Sequence, residues 1–170
     1  YATGLRVTEL VTLRLTDLVD STLLVEKLGD GPAAALFRAH DRIVLELQQR
    51  WRGRLIDRSD GLLLLFERPI DGLGFALDYV RGLRDLGREQ QLKQPLQARA
   101  GLHVGEVLVW ENSVDAVRLG AKSLEVEGLA KPLAGRLMAL ARPGQILLSA
   151  TAEPLAHRAA RELGERGELL

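Results

Sequence analysis

The chain has 170 residues, 23 basic and 23 acidic side chains, and no cysteine. Hydrophobic residues make up 46% of it, which is enough for one sizeable core and predicts a single domain. The absence of net positive charge argues against nucleic acid as the main partner, because binding along a duplex requires clustered Lys and Arg. Without cysteine there is no disulfide or thiolate metal site, which favours a reducing, cytoplasmic location.

No apolar run approaches the roughly 20 residues that cross a bilayer, and no signal-peptide pattern opens the chain. We therefore expect no membrane segment within these residues. The sequence begins at Tyr1 instead of Met, so we expect a domain that is part of a longer protein.

The first half of the chain predicts a strand, two helices and a hairpin. Apolar and polar residues alternate as in a strand with one polar face, and helical apolar stripes follow. The predicted elements are a strand at 9–18, a short helix at 20–28 capped by Asp20 or Ser21, a connection at 29–32, a helix at 33–51, and hairpin strands at 54–58 and 62–66.

The second half predicts further helices and strands. Its elements are a helix at 69–86, a polar connection at 87–95, a hairpin of strands 96–104 and 106–110 bent at Gly105, a loop or short extra strand within 111–127, a helix at 130–141, a strand at 145–149 and a helix at 151–163. This alternation predicts an α+β sandwich with helices packed on a mostly antiparallel sheet.

Two short acidic motifs lie against strand-like apolar runs, TDLVDST at 16–22 and DRSDG at 57–61. Asp17 and Asp60 at strand ends could hold Mg²⁺ against a triphosphate, because Mg²⁺ needs only one or two protein carboxylates. The first motif leads into a helix, whose free N–H groups attract phosphate. Simpler readings are that Asp20 caps the helix and that Asp60 is an ordinary turn residue.

Four strings in one order resemble the catalytic domain of class III adenylate/guanylate cyclases. Each string alone is weakly specific, but their shared order and spacing make a stronger signal. The resemblance covers residues 10–151 and implies a ferredoxin-like core. The strings are residues 16–22, residues 53–56 with 59–61, RAGLHVGE at 99–106, and Arg136-Leu137 followed by ARPGQILLS at 141–149.

The resemblance implies that the ribose 3'-hydroxyl of ATP or GTP attacks the α-phosphorus, which yields a 3',5'-cyclic nucleotide and pyrophosphate. It also implies two Mg²⁺ or Mn²⁺ ions. By this resemblance Asp17, Asp60 and the carbonyl of Leu18 are metal ligands, and Arg136 is the catalytic arginine that stabilises transition-state charge. The nucleotide-binding candidates are Val19, Asp20, Ser21, Thr22, Arg58 and Glu125.

The chain departs from the family pattern at three positions. Ile56 replaces the Lys of purine-selective members, Pro132 replaces the Asn four residues before Arg136, and Ser59 replaces a Gly. One interpretation is a cyclase with altered base choice. The other is a degenerate domain that acts as a nucleotide-binding or dimerising regulatory module. The retained Asp17, Asp60 and Arg136 favour the enzyme.

A polymerase-like palm domain shares two-metal chemistry, but it needs a basic groove and stacking aromatics, and this chain is only 4% aromatic. His40 and His103 lack the partner spacing of a zinc site or a catalytic triad.

The family's active site is completed across a homodimer, so the resemblance implies an isologous dimer. The apolar run at 62–66 fits either that interface or a buried central strand. The strands that the family carries after the last helix are not in this sequence.

Overall fold

The computed structural model describes residues 5–16, 21–59 and 61–165. The alternation of strands and helices agrees with the sequence pattern. In chain order the elements are β1 (Arg6–Leu15), α1 (Ser21–Leu28), α2 (Asp30–Trp51), β2 (Arg54–Asp57), β3 (Leu62–Phe66), α3 (Pro69–Glu89), β4 (Ala100–Glu111), α4 (Val114–Arg118), β5 (Leu124–Glu127), α5 (Ala130–Leu140), β6 (Ile146–Leu148) and α6 (Glu153–Glu165).

The strands form one six-stranded sheet in the order β2-β3-β1-β4-β5, and β6 pairs with β4 beside that path. The pairings are antiparallel except for the parallel β4–β6 pair. This confirms the predicted α+β architecture with a mostly antiparallel sheet.

The two faces of the sheet bury different cores. The larger core takes alternate residues of β1 and β3 together with apolar faces of α2, α3 and α6. A smaller core on the opposite face contains Leu65, Val107, Val109, Leu124, Val126 and Ala130. Because β3 contributes to both, all five of its residues are buried. The apolar run is therefore that of a buried central strand, as a strand covered on both faces requires.

The predicted hairpin bent at Gly105 is wrong. Residues 100–111 form one continuous strand, and Gly105 pairs with Leu10 inside an unbroken register against β1. A Cβ at position 105 would lie 2.6 Å from Nε2 of His103, so glycine here permits a close side-chain approach instead of a turn. The strand also begins only at Ala100, since residues 96–99 are not paired in the sheet.

Other predicted boundaries move by a few residues. The predicted connection at 29–32 is wrong beyond Gly29, because α2 already begins at Asp30 and carries Pro32 in its first turn. The helix predicted at 69–86 continues to Glu89. Residues 111–127 contain the extra strand β5, and also the short helix α4 capped by Ser113.

Helix α5 packs directly on the backbone of β4. A Cβ at Gly101 would collide with the carbonyl oxygen of Ala134 and the amide nitrogen of Met138, so only glycine permits this approach. Across the described parts of the chain, no helix is long and apolar enough to span a membrane.

Candidate functional site

The predicted metal ligands Asp17, Leu18 and Asp60, with Val19 and Asp20, lie outside the described residues. Their neighbours are described. The β1–β3 register pairs Leu15 with Leu62, so the segments that lead into Asp17 and follow Asp60 start from the same end of the sheet. That the two carboxylates lie close together stays a prediction. The β1–β3 register is compatible with it, because a site shared by Asp17 and Asp60 requires both segments at the same end of the sheet.

Ser21 and Thr22 form the start of α1, directly after the first acidic motif. The first backbone N–H groups of a helix have no partner within the helix and attract anions. Contact with phosphate stays a prediction for these two residues.

A buried polar pair lies between α2 and α3. His40 is 1% exposed and Tyr79 is 0% exposed. Nε2 of His40 lies 2.8 Å from the Tyr79 hydroxyl, which donates a hydrogen bond to the carbonyl of Thr16 at 3.3 Å. The tyrosine hydroxyl therefore lies between the His40 ring and the Thr16 carbonyl. Thr16 immediately precedes the predicted ligand Asp17.

Arg58, a predicted nucleotide ligand, is held by α2. Its Nη2 donates to Oδ1 of Asp41 at 2.7 Å, and that oxygen lies 3.8 Å from Nδ1 of His40. The Arg58 and Asp41 side chains are 41% and 52% exposed. Contact with a nucleotide stays a prediction for Arg58.

Asp57 forms an ion pair that the sequence did not predict. Nζ of Lys122 lies 3.2 Å from its Oδ1, and the Ser59 hydroxyl donates to its Oδ2 at 2.6 Å. The Ser59 hydrogen bond is the main cause that lowers the pKa of Asp57 from 3.8 to about 2, with Lys122 adding to it and burial opposing it. An ammonium group therefore lies beside the residue that follows Ile56.

Glu125, the predicted base-reading residue, is half-buried on β5. Its Oε1 lies 3.4 Å from Nδ2 of Asn112, and the same nitrogen donates to the carbonyl of Lys122 at 2.7 Å. We call Asp57, Asn112, Lys122 and Glu125 the β2–β5 polar cluster. The sequence missed Lys122 and Asn112 because residues 111–127 show no clear periodicity.

The cluster exists because the two edges of the sheet approach each other. β2 and β5 are at opposite ends of the strand order. Nevertheless Nη2 of Arg54 on β2 lies 3.6 Å from Oε1 of Glu111, close to β5. The twist of the sheet curls its two edges toward each other. As a result β2, which carries Ile56, lies near β5, which carries Glu125.

Arg136 is exposed on α5, and it forms no hydrogen bond or ion pair with the residues that the structure describes. Pro132 lies in the first turn of the same helix, where its missing N–H is tolerated. The structure therefore does not join Arg136 to the other candidates within one chain.

No group of three or more His, Asp or Glu side chains suited to a metal occurs within 5–16, 21–59 and 61–165. A magnesium site needs only two carboxylates, so the predicted site depends on Asp17 and Asp60. Carboxylate oxygens are ligands that Mg²⁺ prefers, and the segments that adjoin the two aspartates lie at one end of the sheet, so these residues fit a magnesium ion.

A cavity of about 330 Å³ lies at the other end of these strands. Arg6 of β1 and Phe66 of β3 line it, and they are far along their strands from Leu15 and Leu62. This cavity is therefore separate from the predicted metal site.

Comparison with solved structures identifies the fold as that of class III adenylate/guanylate cyclase domains. The guanylyl cyclase Cya2 matches with a TM-score of 0.75 and 20% identity, over 91% of this chain and 81% of that chain. The adenylyl cyclase CyaB from P. aeruginosa matches with a TM-score of 0.75 and 17% identity, over 90% of this chain and 83% of that chain. An adenylate cyclase structure from Trypanosoma brucei matches with a TM-score of 0.68 and 21% identity, over 90% of this chain and 77% of that chain.

Neither a protein-family model nor a curated protein sequence matches the chain. At 17–21% identity the structural matches show the fold, and they confirm the resemblance and the fold class that the four motifs predict.

Proposed function

We propose that this domain is a nucleotidyl cyclase that converts ATP or GTP to a 3',5'-cyclic nucleotide and pyrophosphate. The observation that carries the proposal is the β1–β3 register, because both acidic segments adjoin the same end of the sheet. The fold supports it, because the structural neighbours are named as adenylyl and guanylyl cyclases.

In this proposal Asp17, Asp60 and the carbonyl of Leu18 hold two divalent cations. Bound there, Mg²⁺ or Mn²⁺ supplies charge that lowers the pKa of the ribose 3'-hydroxyl and stabilises the leaving pyrophosphate. A bond forms between the 3'-oxygen and the α-phosphorus while the bond from that phosphorus to the α,β-bridging oxygen breaks. The 3'-hydroxyl proton passes to solvent water, and the bridging oxygen leaves with the pyrophosphate. The backbone N–H groups at 19–22 orient the phosphates at the start of α1.

Base recognition is the altered part of the proposed site. Ile56 offers no hydrogen bond to a base, whereas Lys122 places an ammonium 3.2 Å from the adjacent Asp57. Glu125 supplies an acceptor on the other side of the β2–β5 polar cluster. We infer that these groups determine which purine is accepted, since a site that reads a base by hydrogen bonds changes specificity when its donors move.

A homodimer completes the proposed site. Arg136 is exposed, and its helix begins beside Leu129 and carries Leu133, whose exposed fractions are 78% and 39%. Exposed apolar residues close to an arginine that has no ion-pair partner among the described residues suit a contact with a second chain. Arg136 of one chain would then stabilise transition-state charge at the cations of the other.

Two substitutions favour the alternative of a regulatory module. Pro132 has no side-chain donor where active cyclases carry Asn, and Ile56 likewise removes a base contact. Such a domain would bind nucleotide or dimerise without catalysing cyclisation.

The deciding experiment incubates the purified domain with Mg²⁺ or Mn²⁺ and each of ATP, GTP, CTP and UTP, with cyclic nucleotide detected by mass spectrometry. We expect a purine cyclic nucleotide, lost in Asp17→Ala and kept in the matched control Asp115→Ala, which changes an aspartate that is 90% exposed. If none of the four nucleotides yields a cyclic product, the regulatory module is the better description.

A further inference from the structure

The buried pair of His40 and Tyr79 has no role in the chemistry above. Tyr79 stacks on Phe75 within the larger core, and the His40 ring meets Tyr79 edge-on at a centroid distance of 5.8 Å. Placing a histidine and a phenol in an apolar core costs desolvation free energy that a Leu and a Phe would not incur. The partners of these polar atoms therefore indicate what the pair does.

The tyrosine hydroxyl ends on the backbone beside the first acidic motif. It donates to the carbonyl oxygen of Thr16, which lies 63 residues away in sequence. That carbonyl belongs to the peptide group that joins Thr16 to Asp17. Its hydrogen bond therefore fixes the last described residue before the first acidic motif's predicted ligand.

The other polar groups of Thr16 are fixed by Arg99. The Thr16 N–H donates to the Arg99 carbonyl at 2.9 Å, and the Arg99 N–H donates to Oγ1 of Thr16 at 2.8 Å. The carbonyl of Thr16 takes part in neither bond, and Tyr79 donates a hydrogen bond to it from the core.

The histidine holds the tyrosine hydroxyl in place. Nε2 of His40 lies 2.8 Å from the hydroxyl oxygen, which lies 3.3 Å from the Thr16 carbonyl oxygen. The next residue on α2, Asp41, accepts from Arg58, two residues before Asp60. Consecutive residues of one helix thus connect to both acidic segments, although the Arg58 contact is exposed and weaker.

We propose that Tyr79, held by His40, is a positioning residue that fixes the carbonyl of Thr16, next to the predicted ligand Asp17, and thereby strengthens the binding of the cations. This role rests on the proposed function. It assigns to the core between α2 and α3 a direct effect on metal affinity, transmitted through one backbone carbonyl.

The test compares Tyr79→Phe with Trp51→Phe. The first removes only the hydroxyl. The second removes the hydrogen bond from Nε1 of Trp51 to Oδ2 of Asp78, which also joins α2 to α3 at 2.8 Å and lies one residue from Tyr79. Mn²⁺ is titrated into each protein with 3'-deoxy-ATP, which lacks the attacking hydroxyl, and protein-bound Mn²⁺ is followed by water proton relaxation.

We expect Tyr79→Phe to weaken Mn²⁺ binding by about threefold to tenfold, the effect of one hydrogen bond. Trp51→Phe should lower the thermal midpoint without changing Mn²⁺ affinity. His40→Gln, whose amide Nε2 can donate from a similar position, should bind Mn²⁺ better than His40→Leu.

Three outcomes would overturn the role. Unchanged Mn²⁺ affinity in Tyr79→Phe, or an equal loss in Trp51→Phe, would reduce the pair to a core hydrogen bond while leaving the proposed function intact. A wild-type chain that binds no Mn²⁺ with the nucleotide would contradict the proposed function itself, and the positioning role with it.

Discussion

The Asp57 carboxylate at the end of β2 forms an ion pair with Lys122 in the loop before β5. Its pKa is lowered from 3.8 to about 2, first by the Ser59 hydroxyl and also by Lys122. A carboxylate with a lowered folded-state pKa stabilises the fold above its unfolded-state pKa, and this stabilisation is lost as the pH falls toward the folded value. The relevant window therefore runs from 3.8 down to about 2.

We expect Asp57→Asn to be less stable than the wild type at pH 6, by about 1.5–3 kcal/mol, the usual effect of losing a charged hydrogen-bond acceptor. The difference should shrink as the pH falls from about 4 to about 2. Urea unfolding at a series of pH values measures it. Asp115→Asn is the control, because that side chain is 90% exposed. A difference that is constant through this window would show that the charge of Asp57 does not matter.

Lys122 gives a second prediction for a single residue, at the β2–β5 polar cluster. If the Lys122 ammonium helps to read the base, Lys122→Ala should lower the ratio of kcat/KM for the preferred purine nucleotide to kcat/KM for the other. The expected decrease is several-fold, because one hydrogen bond contributes about 1 kcal/mol and 1.4 kcal/mol corresponds to a factor of 10. Competition between ATP and GTP in one reaction measures this ratio. Lys93→Ala, an exposed residue outside the cluster, should leave it unchanged. An unchanged ratio in Lys122→Ala would remove Lys122 from base recognition.

Among the elements, α5 and β4 depend on one glycine. We expect Gly101→Ala to destabilise the domain by about 1–3 kcal/mol, the usual cost of overpacking, because the added methyl meets backbone atoms of α5 that cannot rotate away. It should also lower activity, since α5 carries Arg136. Urea unfolding and cyclase assays on the same preparation measure the two effects.

Gly135→Ala is the matched control on the same helix. No atom lies within 4 Å of a Cβ built there, and alanine favours helix over glycine by about 0.5–1 kcal/mol. This variant should therefore be slightly more stable. Equal stability changes for the two variants would mean that the close contact at Gly101 does not hold α5 in place.

The predictability of an element depended on whether its pattern was local. The helical stripes of α2 and α3 and the alternation in β1 come from residues that are close in sequence, and these elements are where the pattern predicts them, within a few residues. The β4 prediction failed because Gly105 is a common turn signal, whereas its actual reason is the His103 ring beside it. A close approach between side chain and backbone leaves no periodic trace.

For the whole molecule, the proposed homodimer predicts complementation between two inactive variants. Asp17→Ala removes a metal ligand from one half of each site, and Arg136→Ala removes the arginine from the other half. In a mixed dimer one of the two sites keeps both intact halves. An equal mixture should therefore recover about a quarter of wild-type activity once subunits exchange.

Light scattering on the same samples should give twice the 18.7 kDa mass of one chain. If the mixture is dimeric but no more active than the separate variants, each site is built within one chain. A monomer with full activity would contradict the dimer as well.

The sequence by itself determined the fold class, most elements and the identity of the cyclase motifs, because hydrophobic periodicity and short motifs are properties of neighbouring residues. Only the tertiary structure decided which distant groups meet. Tyr79 reaches Thr16 across 63 residues, and His40 reaches Tyr79 across 39. Likewise Lys122 meets Asp57 only because the curled sheet brings its two edges together. These contacts depend on the packing of α2 on α3 and on strand register, and no local pattern encodes them.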